Sequence, residues 1–479
     1  MERFDLIVVG TGSGLEVSAA AAERGWSVAV VEEGPFGGTC LNRGCIPSKM
    51  LVHVADVART IREAERFGIR ARIEAVDWPA IVKRTFAEID RDAAAIRDAN
   101  RRAETIRVFE GSARFVGHKE LEVGDERIAA ATIVIAAGTR PRIPPIQGLD
   151  EAGFETTDTV MRIPELPRRL VILGGGFVGA EMAHVFGSLG CEVTIVTRGP
   201  AMVRDEDRDV SRRLTEVYAR RFRVFLGSEA RRVSRRGDAR LVEIGPAGEP
   251  EADATTSIEC DAILVATGRV SNTDRLAVER TGVGTDDRGF VTTDEYLRTN
   301  VAGIWALGDI VGRYQLKHNA NLEAARVANN ILNPDQLAAI EYHGMPAAIF
   351  GSPQIGSVGL TEQAAQEQGV AYVTATQPYD ATAYGSSIED HDGFVKVLAD
   401  PASGETLGCH VIGTDASILV QEAVNLMRFR LPVYVIAGSI YIHPALPEVM
   451  QAAFARVARQ VSGDAARAHG QHEHGEHAS

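Results

Sequence analysis

Cysteine and lysine are scarce in this chain, and both absences are informative. Five cysteines in 479 residues are too few for a disulfide scaffold. Arginine greatly outnumbers lysine, so the position of each lysine matters. No apolar run approaches the ~20 residues needed to span a bilayer. The opening stretch, MERFDLIVVG, has no basic leader, long apolar segment or cleavage site, and reads as a strand. A formal charge of -14 and a pI near 5.4 argue against nucleic acid or an anionic membrane as a partner. These features lead us to expect a cytoplasmic protein. A stable structural disulfide is disfavoured in that compartment, so paired cysteines there point to catalysis or metal binding. What remains is ordinary for a globular protein, at 45% hydrophobic and 24% charged residues, with 47 glycines in clusters. The length predicts roughly three domains.

Two βαβ openings organise the chain. In the first, FDLIVVGTGSG runs from an apolar strand through a glycine turn into an Ala-rich helix, and a second strand ends at Glu32. Gly10 permits the tight turn, and Gly12 lets backbone N–H groups approach a pyrophosphate at the positive helix end. Glu32, 22 residues after Gly10, is placed to accept from a ribose 2′-OH. The third glycine position holds Leu15, with Gly14 beside it, so helix and strand are expected to pack slightly further apart. The second opening, about 165 residues on, is complete: Gly174, Gly176 and Gly179. Its following strand ends in Thr197 and Arg198 rather than an acid, with Arg204 nearby. Guanidinium groups pair with a 2′-phosphate that a carboxylate would repel, which favours NADPH over NADH.

Between these units, helices are expected over about 50–67 and 78–102. Beyond Met345 the texture changes to strands alternating with helices, an α+β pattern.

Cys40 and Cys45 lie in FGGTCLNRGCIPSKM, separated by the four residues LNRG. Three readings compete. Two buried free thiols are possible. A metal clip would need further ligands, and no second CxxC or Cys–His pair accompanies it, so no metal site is expected. A strained, reducible disulfide near a strand–helix junction suits the glycine lead-in and Lys49 on the next helix. Cys191, Cys260 and Cys409 fall in apolar, strand-like segments and read as core. His53, His184 and His410 read as core or surface residues. The tail from Val461 to Ser479 is small, polar and His-rich, with His469, His472, His474 and His477, and is expected to be disordered.

Taken in order, GGTCLNRGCIPSK, GGGFVGAE, ATGRVSN, WALGD and HPALPEV resemble the flavoprotein pyridine-nucleotide disulfide reductases. The resemblance covers essentially residues 1–460. It implies an α/β fold with two Rossmann-like domains and a C-terminal α+β dimerisation domain. Residues 1–148 and 269–340 would bind FAD, 149–268 would bind NAD(P)H, and 341–460 would form the interface of a homodimer.

The same resemblance implies residue roles. Gly10, Gly12, Gly14, Glu32, Gly38, Thr39 and Lys49 would contact FAD. Ala113 would lie near the adenine, Gly138, Gly268 and Arg269 near the cofactors, and Asp309 on the ribityl chain. Glu181 would pair with Lys49, and Phe177 would cover the nicotinamide pocket. Cys45 would face the flavin and Cys40 would attack a disulfide substrate. His443 of the other subunit, oriented by Glu448, would serve as acid and base.

No vicinal cysteine pair occurs near the C-terminus, unlike mercuric reductases, and no extra C-terminal redox motif, unlike large thioredoxin reductases. GTGSG, TTDTVMRIPELP, LKHNANLEA and AYGSSIED are similar to the branch that reduces mycothione or bis-γ-glutamylcystine. The expected substrate is a small-molecule disulfide of that kind. The alternative is an NAD-dependent dihydrolipoamide dehydrogenase.

Overall fold

The computed structural model describes residues 1–249 and 256–461. Its first layer is a seven-stranded sheet. Strand Glu2–Val9 lies at the centre, parallel to Val28–Glu32 on one side and Glu126–Ile135 on the other. Leu6, Ile7, Val8 and Val9 are all buried, as expected for a parallel strand covered on both faces. Ile304–Ala306 returns from far along the chain to pair in parallel with Glu126–Ile135. That pairing makes residues 1–135 and the segment around Ile304 one sheet.

The second layer system is a four-stranded parallel sheet in the order Arg223–Phe225, Glu192–Val196, Arg169–Leu173, Ala262–Val265. A three-stranded antiparallel sheet, Ser228–Arg236, Ala239–Pro246 and Thr256–Cys260, packs beside it. A short antiparallel pair, Thr139–Pro141 with Arg269–Ser271, links the two systems.

The third sheet is antiparallel and five-stranded, ordered Pro346–Ile349, Gln354–Gly359, Thr406–Gly413, Phe394–Ala399, Val373–Pro378. Helices Ala416–Arg428 and Glu448–Ala458 cover it through Leu419, Val420, Ala423, Val449, Ala453 and Phe454. Val461 is buried in this same core, so order extends one residue into the segment expected to be disordered. The remaining His-rich tail, with His469, His472, His474 and His477, lies outside the described residues.

The helix expected near Met50 begins earlier, at Cys45, and runs to Glu63 before a 3₁₀ turn, Ala64–Phe67. Trp78–Arg102 is helical as its pattern indicates. Asp77 caps it by accepting from Ala80 N, and Arg101 and Arg102 sit at its negative end. Cys260 and Cys409 are buried in strands, and Cys191 is buried one residue before one. His53 is exposed, whereas His184 and His410 are buried. Among the described residues, no helix is long and apolar enough to cross a membrane.

Candidate functional site

The two glycine turns leave the carboxyl ends of parallel strands, where open α/β sheets form ligand crevices. Gly10 has φ +103°, and a Cβ there would lie 2.3 Å from Ala136 O. Gly174 repeats this, with φ +128° and Ala266 O at 2.1 Å. Only glycine fits either bend. The loosening expected from Leu15 does not occur. A Cβ on Gly14 would lie 2.8 Å from Val8 Cγ1 and 2.9 Å from Ala136 Cβ. The close approach of helix to sheet is therefore made one residue earlier, at the helix start itself. In the second turn Gly179 makes the close approach, against Gly174 O.

A cavity of about 600 Å³ opens beside the first turn. Gly10, Gly12, Glu32, Gly38, Thr39, Cys40, Cys45, Lys49, Ala113, Gly138, Phe177, Glu181, Arg269 and Asp309 all line it. Gly14 lies behind this wall, buried in the helix start. Glu32 is held rigidly: Oε2 accepts from Thr11 N at 2.9 Å and Thr11 Oγ1 at 2.6 Å, and Oε1 accepts from Gly34 N at 2.9 Å. Gly38 packs against Gly12, where a Cβ would be 2.7 Å from Gly12 Cα. Across the cavity, Arg269 Nε donates to Thr139 Oγ1 at 2.7 Å, and Thr139 Oγ1 contacts Asp309 Oδ2 at 3.2 Å. Burial pushes the Asp309 carboxyl up and the Arg269 guanidinium down, and each opposes the other's shift.

A cavity lined by a glycine turn at a helix N-terminus and by a carboxylate held at the end of the next strand fits a dinucleotide. Gly12 leaves its open side clear of neighbouring atoms to 4 Å.

The cysteine pair is presented by two helices in series. Cys40 belongs to Gly38–Arg43, and Cys45 is the first residue of Cys45–Glu63. Both thiols are free and partly buried. The two are electrostatically unequal. Cys45 is drawn down to about 7, first by the hydrogen bond from Cys40 and then by Lys49, against the opposing cost of burial. Its place at a helix N-terminus works in the same direction. Cys40 is pushed far up by that same hydrogen bond and by burial. In the reduced pair the thiolate is therefore favoured on Cys45 and disfavoured on Cys40. Among the described residues, no group of three or more His, Cys, Asp or Glu side chains could hold a metal ion.

Lys49 Nζ contacts both oxygens of Glu181 at 2.9 Å, and Glu181 Oε1 also accepts from Phe350 N at 3.0 Å. The ammonium lies 4.6 Å from the Phe350 ring centroid. Glu181 belongs to helix Phe177–Ser188, which starts at the second glycine turn. One helix thus connects that turn to the cavity. Phe177, its first residue, is 50% exposed and lines the cavity mouth. Gly174, Gly176 and Gly179 form the second turn, outside the cavity wall. Arg198 and Arg204 are exposed on the segment that packs against this turn, where Val203 N donates to Gly175 O at 2.7 Å, and Arg204 Nε is 3.8 Å from Asp205. Gly268 precedes Arg269 with φ +104° but does not line the cavity.

His443 is not brought to the cysteines within one chain. Its Nδ1 is 2.8 Å from Glu448 Oε1, and Glu448 Oε2 accepts from Ala445 N at 3.0 Å. The His443 hydrogen bond, then Ala445 N–H, hold the Glu448 carboxyl below its usual range. The His443 side chain is 72% exposed.

Sequence reasoning missed Thr11, Thr139 and Phe350. Thr11 and Thr139 each adjoin a glycine already singled out. Phe350 arrives from the third sheet and carries no local signal.

This fold and this site define a two-dinucleotide dithiol oxidoreductase. The pattern described as "Pyridine nucleotide-disulphide oxidoreductase" matches residues 4–324, and that family's dimerisation domain matches residues 345–454. The chain belongs to this family, whose members work with FAD and a nicotinamide cofactor. It is 41% identical over 464 residues to mycothione reductase of Mycobacterium tuberculosis, covering 94% of this chain and 98% of that one. It is 34% identical over 458 residues to dihydrolipoyl dehydrogenase of Chlamydia muridarum, covering 94% and 95%. Among solved structures, the HOCl-induced flavoprotein disulfide reductase RclA from Escherichia coli superposes with a TM-score of 0.83 at 26% identity, covering 95% and 100%.

Proposed function

We propose that this protein is an NADPH-dependent reductase of a low-molecular-weight thiol disulfide, of the mycothione or bis-γ-glutamylcystine type. The observation that carries this reading is the unequal Cys40–Cys45 pair beside Lys49 and Glu181 in a dinucleotide-sized cavity. The level of identity to mycothione reductase supports the substrate class. Arg198 and Arg204, with no acid at Thr197, support NADPH.

Gly10, Gly12, Glu32, Gly38, Thr39, Ala113, Gly138, Arg269 and Asp309 would hold FAD. Gly174, Gly176, Gly179, Arg198 and Arg204 would hold NADPH. The chemistry FAD supplies when bound is relay of two electrons from the nicotinamide to the Cys40–Cys45 disulfide. Lys49, neutralised by Glu181, steadies the Cys45 thiolate. Cys40 keeps its proton in the reduced pair, so its attack needs a base. With Nδ1 engaged by Glu448, Nε2 of His443 is the free position for that role. The Cys40 sulfur bonds one sulfur of the substrate and breaks its S–S bond. The departing thiolate takes the proton from His443. Cys45 then attacks Cys40 Sγ, restores the disulfide and releases the second thiolate, which takes its proton from solvent. The net change is RSSR plus two electrons and two protons to two RSH.

His443 does not line the cavity that holds Cys40 and Cys45, so in this reading a second copy supplies it. Ile440 and Ile442, 102% and 82% exposed, immediately precede it in the chain and suit burial against that copy. The test is steady-state turnover with two pairs: NADPH with mycothione or bis-γ-glutamylcystine, and NAD⁺ with dihydrolipoamide. Fast NADPH oxidation by either disulfide upholds the reading. Turnover confined to NAD⁺ and dihydrolipoamide replaces it.

A further inference from the structure

Lys396 is one of only five lysines in the chain, and its side chain is 3% exposed. It stands on strand Phe394–Ala399 of the third sheet. A lysine is almost never fully buried unless it is paired. Here Nζ meets Asp207 Oδ1 at 2.9 Å, Asp209 Oδ2 at 2.7 Å and Glu362 Oε2 at 2.6 Å. Burial opposes the charge, and the three carboxylates outweigh it and push the ammonium up. Asp207, itself wholly buried, makes further bonds. Oδ1 accepts from Asp209 N at 3.0 Å and so caps helix Arg208–Arg221, and Oδ2 accepts from Glu362 N at 3.0 Å. Gln363 adds two neutral bonds across the same seam. Its Nε2 donates to Glu206 O at 2.8 Å, and its Oε1 accepts from Arg208 N at 3.2 Å. The run from Glu206 to Asp209 in the second unit is therefore gripped by Lys396, Glu362 and Gln363 of the third.

The gripped residues end a segment that begins at Thr197 and carries Arg198 and Arg204. Its other end is fastened to the second glycine turn. A Cβ on Gly175 would lie 2.8 Å from Thr197 Oγ1, and Val203 N donates to Gly175 O at 2.7 Å. Val203 is buried with φ +44°, a region that β-branched residues avoid. Such strain persists only where the surroundings impose it. Met202 N donates to Thr215 Oγ1 at 2.9 Å, and Met202 O accepts from Ser211 Oγ at 2.6 Å. Val203 O accepts from Glu206 N at 2.9 Å, which leads directly into the gripped residues. Arg204 thus sits between a strained residue bonded to the turn and a buried acid bonded to Lys396.

We propose that Lys396 is a positioning residue for cofactor selectivity, holding through Asp207 the segment that carries Arg198 and Arg204 against the second glycine turn. This rests on the reading of those two arginines as partners of a 2′-phosphate. A buried ion cluster is weak evidence for stability, because an apolar replacement can be as stable. What this cluster supplies is a fixed backbone position, and an Arg–phosphate contact is demanding in geometry. NADH has no 2′-phosphate, so its binding needs the turn but not a set place for either guanidinium.

The test compares wild type, Lys396→Met, Gln363→Ala and Arg204→Gln as FAD-loaded dimers. The readout is kcat/KM for NADPH divided by kcat/KM for NADH, with ferricyanide as acceptor so that no disulfide substrate is needed. The ratio should fall roughly threefold to tenfold in Lys396→Met, through KM for NADPH with kcat little changed. It should fall less in Gln363→Ala, which breaks neutral bonds without stranding a buried charge. Amide hydrogen exchange without nucleotide is the second measurement. Residues 198–207 should exchange faster in Lys396→Met, while those around Gly10 do not change. Equal losses for NADPH and NADH overturn the proposal, because Lys396 then serves stability alone. Unchanged exchange over 198–207 overturns it as well. If Lys396→Met does not fold, the ratio and the exchange in Gln363→Ala decide in its place. An unchanged ratio in Arg204→Gln refutes the reading of the arginines, and the selectivity claim falls with it. A fall in Arg204→Gln with none in Lys396→Met or Gln363→Ala keeps that reading and defeats the proposal.

Discussion

Lys49 and Glu181 are 132 residues apart in sequence, yet the ammonium touches both carboxylate oxygens at 2.9 Å. The pair joins the helix that begins at Cys45 to the helix that begins at the second glycine turn. One ion pair therefore ties the cysteine-bearing helix to the helix of the second glycine turn.

Removing Lys49 should be felt in stability as well as chemistry. Lys49→Met leaves the Glu181 carboxylate buried and short of its partner. A fully buried pair so broken costs about 3–5 kcal/mol. Because the Lys49 side chain is 35% exposed, we expect roughly 1–3 kcal/mol. Chemical denaturation of the holoenzyme measures this, and an unchanged midpoint would show that the pair contributes nothing.

The thiol asymmetry predicts a pH profile. Iodoacetamide alkylation of reduced Cys45 should rise through pH about 7, below the ordinary thiol range near 8.5. The sign for Lys49→Met follows directly. Loss of a nearby cation disfavours the thiolate, so the profile moves to higher pH. A shift to lower pH would contradict the assignment of Lys49 as its stabiliser.

Cys40→Ser should abolish disulfide turnover while FAD remains bound and is still reduced by NADPH. The chromophore spectrum reports both. Loss of FAD from this variant would undermine the division of labour between the two cysteines.

Complementation tests the shared site. Cys40→Ser and His443→Gln homodimers should each be inactive. Mixed dimers should regain activity, because one of their two sites then holds Cys40 from one copy and His443 from the other. Failure to recover turnover in purified heterodimers would place His443 outside the site.

Arg198→Glu should weaken NADPH while leaving NADH use comparatively intact, since a carboxylate repels the 2′-phosphate. An unchanged preference between the two cofactors would remove the role given to Arg198 and Arg204.

Much of this protein is local in origin. The strand–glycine–helix units at Gly10 and Gly174, Glu32 at its strand end and Cys40–Cys45 near Lys49 are short-range patterns. Their chemistry follows from spacing alone, because a βαβ opening places its turn and its next strand end together whatever surrounds them. The packing at Gly14 was not legible, because the glycine that meets the sheet is displaced by one residue and only the contact with Val8 and Ala136 reveals it. Tertiary structure alone decided which distant groups share the cavity. It brought Glu181 and Phe350 to Lys49 and Thr139 to Asp309 and Arg269. It set Lys317 against Ser13, 304 residues away, with its charge felt by the Asp309 carboxyl. It also kept His443 apart from the cysteines of its own chain. Sequence spacing determines periodic, local contacts, but the charge state of Cys45 depends on which ammonium and which thiol are folded against it, and that is a property of the assembled core.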